Sequence, residues 1–244
     1  VLFTAGGTAG VVGAALRRPG RPVVQIQHPR IDPARFDVVV VNRHDGLTGP
    51  NVVVTRTALH PATPARLAAA AAEWAPRLAH LPRPLAAVLV GGSNGRFRLD
   101  AAVARALGVQ LADMMRLDRV GLALTPSRRT SPDARAALHA AIAPGGGWMW
   151  DGTGENPYFG LLALADAIVV TEDSVSMVSE AVATCAPVLL AGLPGRSRRI
   201  RLFNRLLMQD GRIRPFAGRL DVWPVAPIDD TQAAADDVRR RLGL

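Results

Sequence analysis

The chain has 244 residues and a mass of 25.8 kDa, about 1.6 times a typical domain, so one large or two small domains are expected. Its 29 basic and 20 acidic residues leave a net charge of +9, and every one of the cations is an arginine. Without lysine there is no Schiff-base chemistry, no Walker-type phosphate lysine and no Tyr/Lys pair of the kind used by short-chain dehydrogenases. The single cysteine, Cys185, excludes disulfide frameworks, iron–sulfur clusters and cysteine-rich zinc sites.

In chain order, short apolar, β-branched runs predict strands at residues 1–5, 23–28, 37–41, 51–55, 85–90, 120–126, 147–150, 167–171 and 187–191. Most are continuous rather than alternating, as parallel strands covered on both faces require. Helical segments lie between several of them, at 67–78, 99–108 and 131–142, the last opening on Ser131 and Pro132. A further amphipathic helix is expected at 231–242. Strand alternating with helix specifies right-handed βαβ units, hence an α/β protein.

The LPRP break at 81–84 places a domain boundary near 82. The expected organisation is a partial Rossmann-like domain at 1–82, a complete one at 83–228, and a terminal helix at 229–244 packing back on the first. The opening VLFTAGG run has no initiator methionine and no basic stretch, and reads as the interior of a longer protein rather than a targeting signal. No apolar run approaches the roughly 20 residues that cross a bilayer. A cytoplasmic protein, at most peripheral to a membrane, is expected.

Three segments carry polar chemistry at predicted strand ends. The first is GGSNGR, whose Gly91, Gly92, Ser93 and Gly95 let backbone N–H groups approach an anion while Arg96 and the nearby Arg98 add charge. A tight strand-to-helix turn accounts for the same glycines. An earlier glycine segment, 6–10, has no following arginine within a turn and reads as a plain turn. The second is TEDSVSMVSEA, 171–181, where Asp173 or Ser174 caps a helix. Ser176, Ser179 and Glu180 exceed what capping needs. Ser176 and Glu180 share a helical face, and a carboxylate there suits the hydroxyls of a ribose; a solvated face with Glu180 paired to an arginine is the alternative. The third is SRR, in which Ser127 and Arg128 suit a diphosphate, whereas Arg129 reads as an exposed turn residue.

A fourth segment, 194–205, offers Gly195, Ser197 and Arg198 to an anion and an apolar stripe of Ile200, Phe203 and Leu207 to a core. Its arginines equally serve as surface cations. Glu155 and Tyr158, ahead of a helix, are placed to close over a base or sugar, or to cap. The five histidines show no metal-ligand spacing, so no metal is expected. His28 and His44 follow strands in the front domain and are weak candidates for a general base. There is no GxSxG elbow.

Taken together, DVVVVNRHDGL (37–47), PNVVVTRTALH (50–60), VGGSNGRFRLD (90–100), TPSRRTSP (125–132) and NPYFGLLALADAIVVTEDSVSMVSEA (156–181) resemble the mitochondrial fission "elongated mitochondria" family and its bacterial relatives, over nearly the whole chain. That family is similar in fold to the N-acetylglucosaminyltransferase of peptidoglycan synthesis, a GT-B enzyme. The resemblance therefore implies a GT-B-like pair of Rossmann-like domains with parallel sheets and a nucleotide-diphosphate sugar in the cleft between them. By that resemblance Gly91, Gly92, Ser93 and Gly95 meet the diphosphate, and Ser179 with Glu180 meets the ribose. Sugar transfer would proceed without metal or further cofactor, toward a peripheral-membrane or lipid-linked acceptor. The front glycine loop that serves the acceptor in such enzymes is absent from this sequence. The second function implied is that of the plant member, an adaptor associated with recruiting a dynamin-related protein. Nucleic acid is disfavoured as a partner because aromatic residues are sparse among the arginines.

Overall fold

A computed structural model describes residues 1–244 as two compact units, Val1–Leu59 with Ile228–Leu244, and His60–Pro227. In the first unit β1 (Leu2–Ala5), β2 (Val23–Ile26), β3 (Val38–Asn42) and β4 (Val52–Thr55) form a parallel sheet in that order. The valine run of β3 is covered on both faces. Val38 and Val40 pack with Val24, Val53 and the Ala234 and Val238 side chains of α8 (Thr231–Leu242). On the other face Val39 and Val41 pack with Val23, Phe36 and Ala14 of α1 (Gly7–Leu16). Double coverage is what the absence of polar alternation demands.

The segment read as a plain glycine turn is instead the start of α1. Gly6, at φ +80, turns the chain, and the following glycines let the helix lie close on the sheet. A Cβ on Gly10 would sit 2.9 Å from Oε1 of buried Gln25, and one on Gly13 would sit 2.7 Å from Thr4 Cγ2. Gln25 anchors this turn: Thr4 Oγ1 donates to its Oε1 at 2.6 Å, and its Nε2 donates to the Gly6 carbonyl at 3.1 Å. Glycine here serves close packing, at the expense of the helix propensity that sequence reading relies on.

The second unit carries β5 (Leu85–Val90), β6 (Gly121–Pro126), β7 (Trp148–Met149), β8 (Ala167–Thr171), β9 (Val188–Ala191) and β10 (Ile213–Pro215). All pair in parallel, in the order β10-β9-β8-β5-β6-β7. Its helices are α2 (Pro64–Leu78), α3 (Ala101–Asp118), α4 (Pro132–Ile142), α5 (Tyr158–Leu164), α6 (Val175–Val182) and α7 (Arg198–Gln209). Thr63, Asp100, Ser131, Ser174 and Ser197 begin α2, α3, α4, α6 and α7, each side chain accepting the N–H three residues on. The core gathers β5, β6, α3 and α4 residues, with Val88, Leu111, Met114, Leu122, Leu124 and Leu138 almost fully buried.

Residues 60–82 group by their contacts with this second unit, whereas sequence reading set a division near 82. Aromatic packing holds α2 there. Trp74 lies edge-on to Trp148 with centroids 6.3 Å apart, and a Cβ on Gly160 of α5 would fall 2.4 Å from Trp74 Cγ. Arg66 stacks over Phe159 at 3.9 Å, and Arg77 pairs with Glu155 at 2.9 Å. The short β10, which no apolar run announced, pairs with β9 through Ile213, Arg214 and Pro215.

Candidate functional site at the switch point of the second sheet

From β5 the chain runs through α3 to β6 on one side, while β8 and β9 lie on the other. The strand order therefore reverses between β5 and β8, the position where open α/β sheets bind ligands beyond their carboxyl ends. The loops after β5, β6, β8 and β9 all emerge at that edge, and hydrogen bonds tie them to one another.

The glycine turn after β5 is fastened from two sides. Gly91 N–H donates to Thr171 Oγ1 at 2.8 Å, and Gly92 N–H donates to Asp173 Oδ2 at 3.3 Å. The Gly91 carbonyl accepts the hydroxyls of Ser127, at 2.8 Å, and Thr130. No side chain fits at either glycine: a Cβ on Gly91 would lie 2.2 Å from Asp173 Oδ1, and one on Gly92 would lie 2.2 Å from the Arg129 carbonyl oxygen. The amides expected to face an anion are thus committed inside the protein. Exposed donors begin one residue later, at the N–H groups of Ser93 and Gly95, which donate to no protein acceptor.

Asp173 occupies the centre of this arrangement rather than its rim. Its fully buried carboxylate also accepts Thr171 Oγ1 at 2.7 Å and Arg129 Nη2 at 2.8 Å. Arg129 is exposed as expected, but it is also a structural cation: besides the Asp173 pair, its Nη1 donates to the Gly92 carbonyl at 3.3 Å. Arg135 steadies the same turn by donating to the Ser127 and Thr130 carbonyls at 3.0 and 3.2 Å. Arg128, exposed like Arg129, makes no hydrogen bond or ion pair to the turn.

The loop after β9 zips onto the glycine loop. Arg98 N–H donates to the Pro194 carbonyl at 2.9 Å and Arg196 N–H to the Arg96 carbonyl at 3.0 Å, while Arg96 Nη1 reaches Ser197 Oγ at 3.3 Å. Glu172 Oε1 accepts the Leu193 N–H at 2.8 Å, adding the β8 loop to the same junction. The α3 N-terminus that follows the glycine loop is occupied by its own Asp100 cap, which accepts the Val103 N–H at 2.9 Å.

Between the ends of β5 and β6, α5 and α6 lies a cavity of about 400 Å³, lined by Val90, Ser127, Arg128, Trp150, Asn156, Tyr158 and Met177 among others. Along α6, Ser174 is the cap, Ser176 is exposed, and Ser179 is buried inside the unit. Glu180 is half-buried, and Oε2 accepts the Tyr158 hydroxyl. Burial raises the Glu180 carboxyl above its ordinary range, against the lowering effects of the Tyr158 bond and the positive fields of His60 and Arg66. Burial, together with the Glu180 charge, pushes the Tyr158 phenol up as well. The C-terminal end of α6 is held by buried Arg212, which donates to the Val182 and Thr184 carbonyls at 3.2 and 2.6 Å.

Both candidate bases lie in the first unit. His28 Nδ1 accepts the Arg30 N–H at 3.0 Å, and His44 is 5 % exposed with Nε2 3.6 Å from Asp45 Oδ1. Sequence reading missed the buried lock formed by Asp173 and Arg129, and the bond from Tyr158 to Glu180, because neither pairing has a local pattern.

Two Rossmann-like, parallel-sheet units, one with a cross-linked polar edge at its switch point, define the chain as an α/β protein of two such units. Residues 1–242 match the family model Mitochondrial fission ELM1, and the chain belongs to that family. It is 34 % identical over 247 residues to the mitochondrial fission protein ELM1 of Arabidopsis thaliana, covering 90 % of this chain and 58 % of that one. An uncharacterized protein of Rickettsia prowazekii is 23 % identical over 290 residues, covering 100 % of this chain and 80 % of its own. Among solved structures, MurG of Acinetobacter baumannii is similar with a TM-score of 0.48 and 18 % identity, covering 97 % of this chain and 64 % of the other. The chain thus spans less than two thirds of the Arabidopsis and Acinetobacter proteins. No helix is long and apolar enough to cross a membrane.

Proposed function

We propose that the second unit binds a nucleoside diphosphate, carried as a nucleotide sugar, and that the protein is of the GT-B glycosyltransferase type. The observation that carries this reading is the mutual hydrogen bonding of four strand-end loops at one switch point, beside a cavity of base-plus-ribose size. The diphosphate is assigned to the Ser93 and Gly95 N–H groups with the Arg96 and Arg128 guanidiniums, which supply charge-assisted bonds in place of a metal. The base is assigned to the cavity between Trp150 and Met177, and the ribose to Glu180. Gly91, Gly92 and Asp173 shape the turn, Ser174 and Ser176 stand at the start of α6, and Ser179 supports that helix from inside.

Such fixed donors would stabilise a departing diphosphate and so permit sugar transfer without metal. Isothermal titration with UDP, ADP, GDP and their hexose conjugates tests the reading. At least one is expected to bind below millimolar, and Arg128→Gln is expected to weaken it about tenfold, the equivalent of one charge-assisted hydrogen bond. No heat from any of them at millimolar concentration overturns it.

One observation favours a second reading, that of a non-catalytic adaptor. Arg196, Arg198, Arg201 and Arg205 line a concavity of about 500 Å³ with exposed Leu202. Retention on anionic vesicles that disappears in Arg198→Gln/Arg201→Gln/Arg205→Gln, without loss of nucleotide binding, would identify this face as a docking surface.

A further inference from the structure

Resting on the docking reading of α7 rather than on the nucleotide site, we infer that this face recognises a lipid with a terminal phosphate, a phosphomonoester headgroup seated among its arginines beside an apolar contact at Leu202. The concavity is lined by Arg196, Arg198, Arg201, Leu202 and Arg205, and shares no lining residue with the cavity at the switch point. From Ala181 to Gln209 the sequence holds no acidic residue, so the segment supplies no counter-charge of its own. A surface of that kind draws an anion.

Local structure fixes the helix that carries these arginines. Arg196 N–H donates to the Arg96 carbonyl at 3.0 Å, and Ser197 Oγ caps α7 by accepting the Ile200 N–H at 3.3 Å. Phe203 and Leu207 bury the inner side of the helix. Arg198, Arg201 and Arg205 are exposed on the other, at spacings of three and four residues and within about 10 Å along the axis. Like charges at those spacings repel and cost the helix stability, a cost that a multiply charged anion between them removes. A phosphomonoester fits better than a diester. It carries about two charges and three strong acceptor oxygens, enough for several guanidiniums to form charge-assisted bonds at once. A serine headgroup would instead bring an ammonium up to four cations. Leu202, 38 % exposed, stands among the arginines, and Met208, 36 % exposed, lies further along the same helix. Neither side chain gains anything from a free inorganic anion, whereas both leave water beside an acyl chain while the arginine heads reach the phosphate.

Co-sedimentation of the whole chain with phosphatidylcholine vesicles containing phosphatidic acid, phosphatidylglycerol or phosphatidylserine, matched in surface charge, tests the inference. The phosphatidic acid vesicles are expected to bind about tenfold more tightly than the other two, the worth of one further charge-assisted bond. Arg201→Gln/Arg205→Gln should abolish that preference, and Leu202→Gln should weaken binding about tenfold through the lost apolar contact. Without lipid and at low salt, Arg201→Gln/Arg205→Gln should melt no lower than wild type, because the repulsion is relieved. A lower melting point would assign these arginines to the fold and overturn the inference. Equal binding to all three vesicles overturns headgroup recognition and leaves a general anionic docking face standing. Glycerol phosphate binding wild type as tightly as the phosphatidic acid vesicles do, or undiminished vesicle binding by Leu202→Gln, overturns the lipid assignment in favour of a soluble phosphate. Retention on none of the vesicles overturns the docking reading as well.

Discussion

Replacing Asp173 by alanine should remove the glycine turn's main support. The carboxylate is fully buried and receives three donors: Gly92 N–H, Thr171 Oγ1 and Arg129 Nη2. Removing it leaves the buried Gly92 N–H without an acceptor, at about 1–3 kcal/mol, and strands one half of an ion pair. Breaking buried pairs typically costs about 3–5 kcal/mol. The Arg129 side chain, however, is 40 % exposed and can rehydrate, which argues for the lower end, about 3 kcal/mol. For a protein of this size that corresponds to a melting point lower by roughly 6–12 °C. Asp173→Asn keeps one carbonyl acceptor, for Gly92 N–H or Thr171 Oγ1 but not both, and loses the charge, so a shift smaller than the alanine variant's is expected. Thermal unfolding followed by circular dichroism, with urea titration as a check on reversibility, reads both values. An alanine variant melting within about 2 °C of wild type would refute the view that this carboxylate holds the turn.

Other substitutions and one titration probe the same reasoning. Gly92→Ala drives a Cβ to 2.2 Å from a backbone carbonyl that cannot swing aside, and should cost about 3 kcal/mol in urea unfolding. Arg212→Ala removes the donors to the Val182 and Thr184 carbonyls and should lower stability by about 2–4 kcal/mol, read by the same method. Burial alone would raise the Asp230 carboxyl, but the side-chain and backbone bonds from Arg56 and the positive fields of Arg56 and Arg43 outweigh it and hold the group below its usual range. A depressed carboxyl contributes stability above its unfolded pKa of about 3.9, and that contribution is lost as pH falls through the lower folded value. Stability of the first unit should therefore decline below about pH 4, and Arg56→Gln should flatten that decline in an acid titration followed by fluorescence or circular dichroism.

The legible parts of the fold were those written in continuous local runs. All nine strands expected from apolar runs are present, since a buried parallel strand such as Val38–Asn42 needs several β-branched residues in succession. Caps were equally visible: the Ser131–Pro132 start of α4 and the Thr231–Leu242 helix lie where the residues placed them. What escaped were elements whose sequence is shaped by a distant neighbour. The glycines of α1 answer to Gln25 and Thr4, and β10 is too short and polar, as Ile213–Arg214–Pro215, to stand out from a loop. At the site, position along the sheet edge was readable from the strand ends, whereas the division of labour was not. Asp173 looked like a ligand residue and is a buried strut, because its partner Arg129 lies 44 positions away; Tyr158 meets Glu180 across 22.

The most direct test of the switch-point site is a residue-resolved one. In ¹⁵N–¹H spectra of the whole chain titrated with UDP or inorganic pyrophosphate, the largest shifts should fall on the amides of Ser93, Gly95 and Arg128, with smaller ones at Ser174. Shifts confined to Arg198–Arg205 of α7, or spectra unchanged at millimolar ligand, would contradict a diphosphate site at the meeting of these four loops.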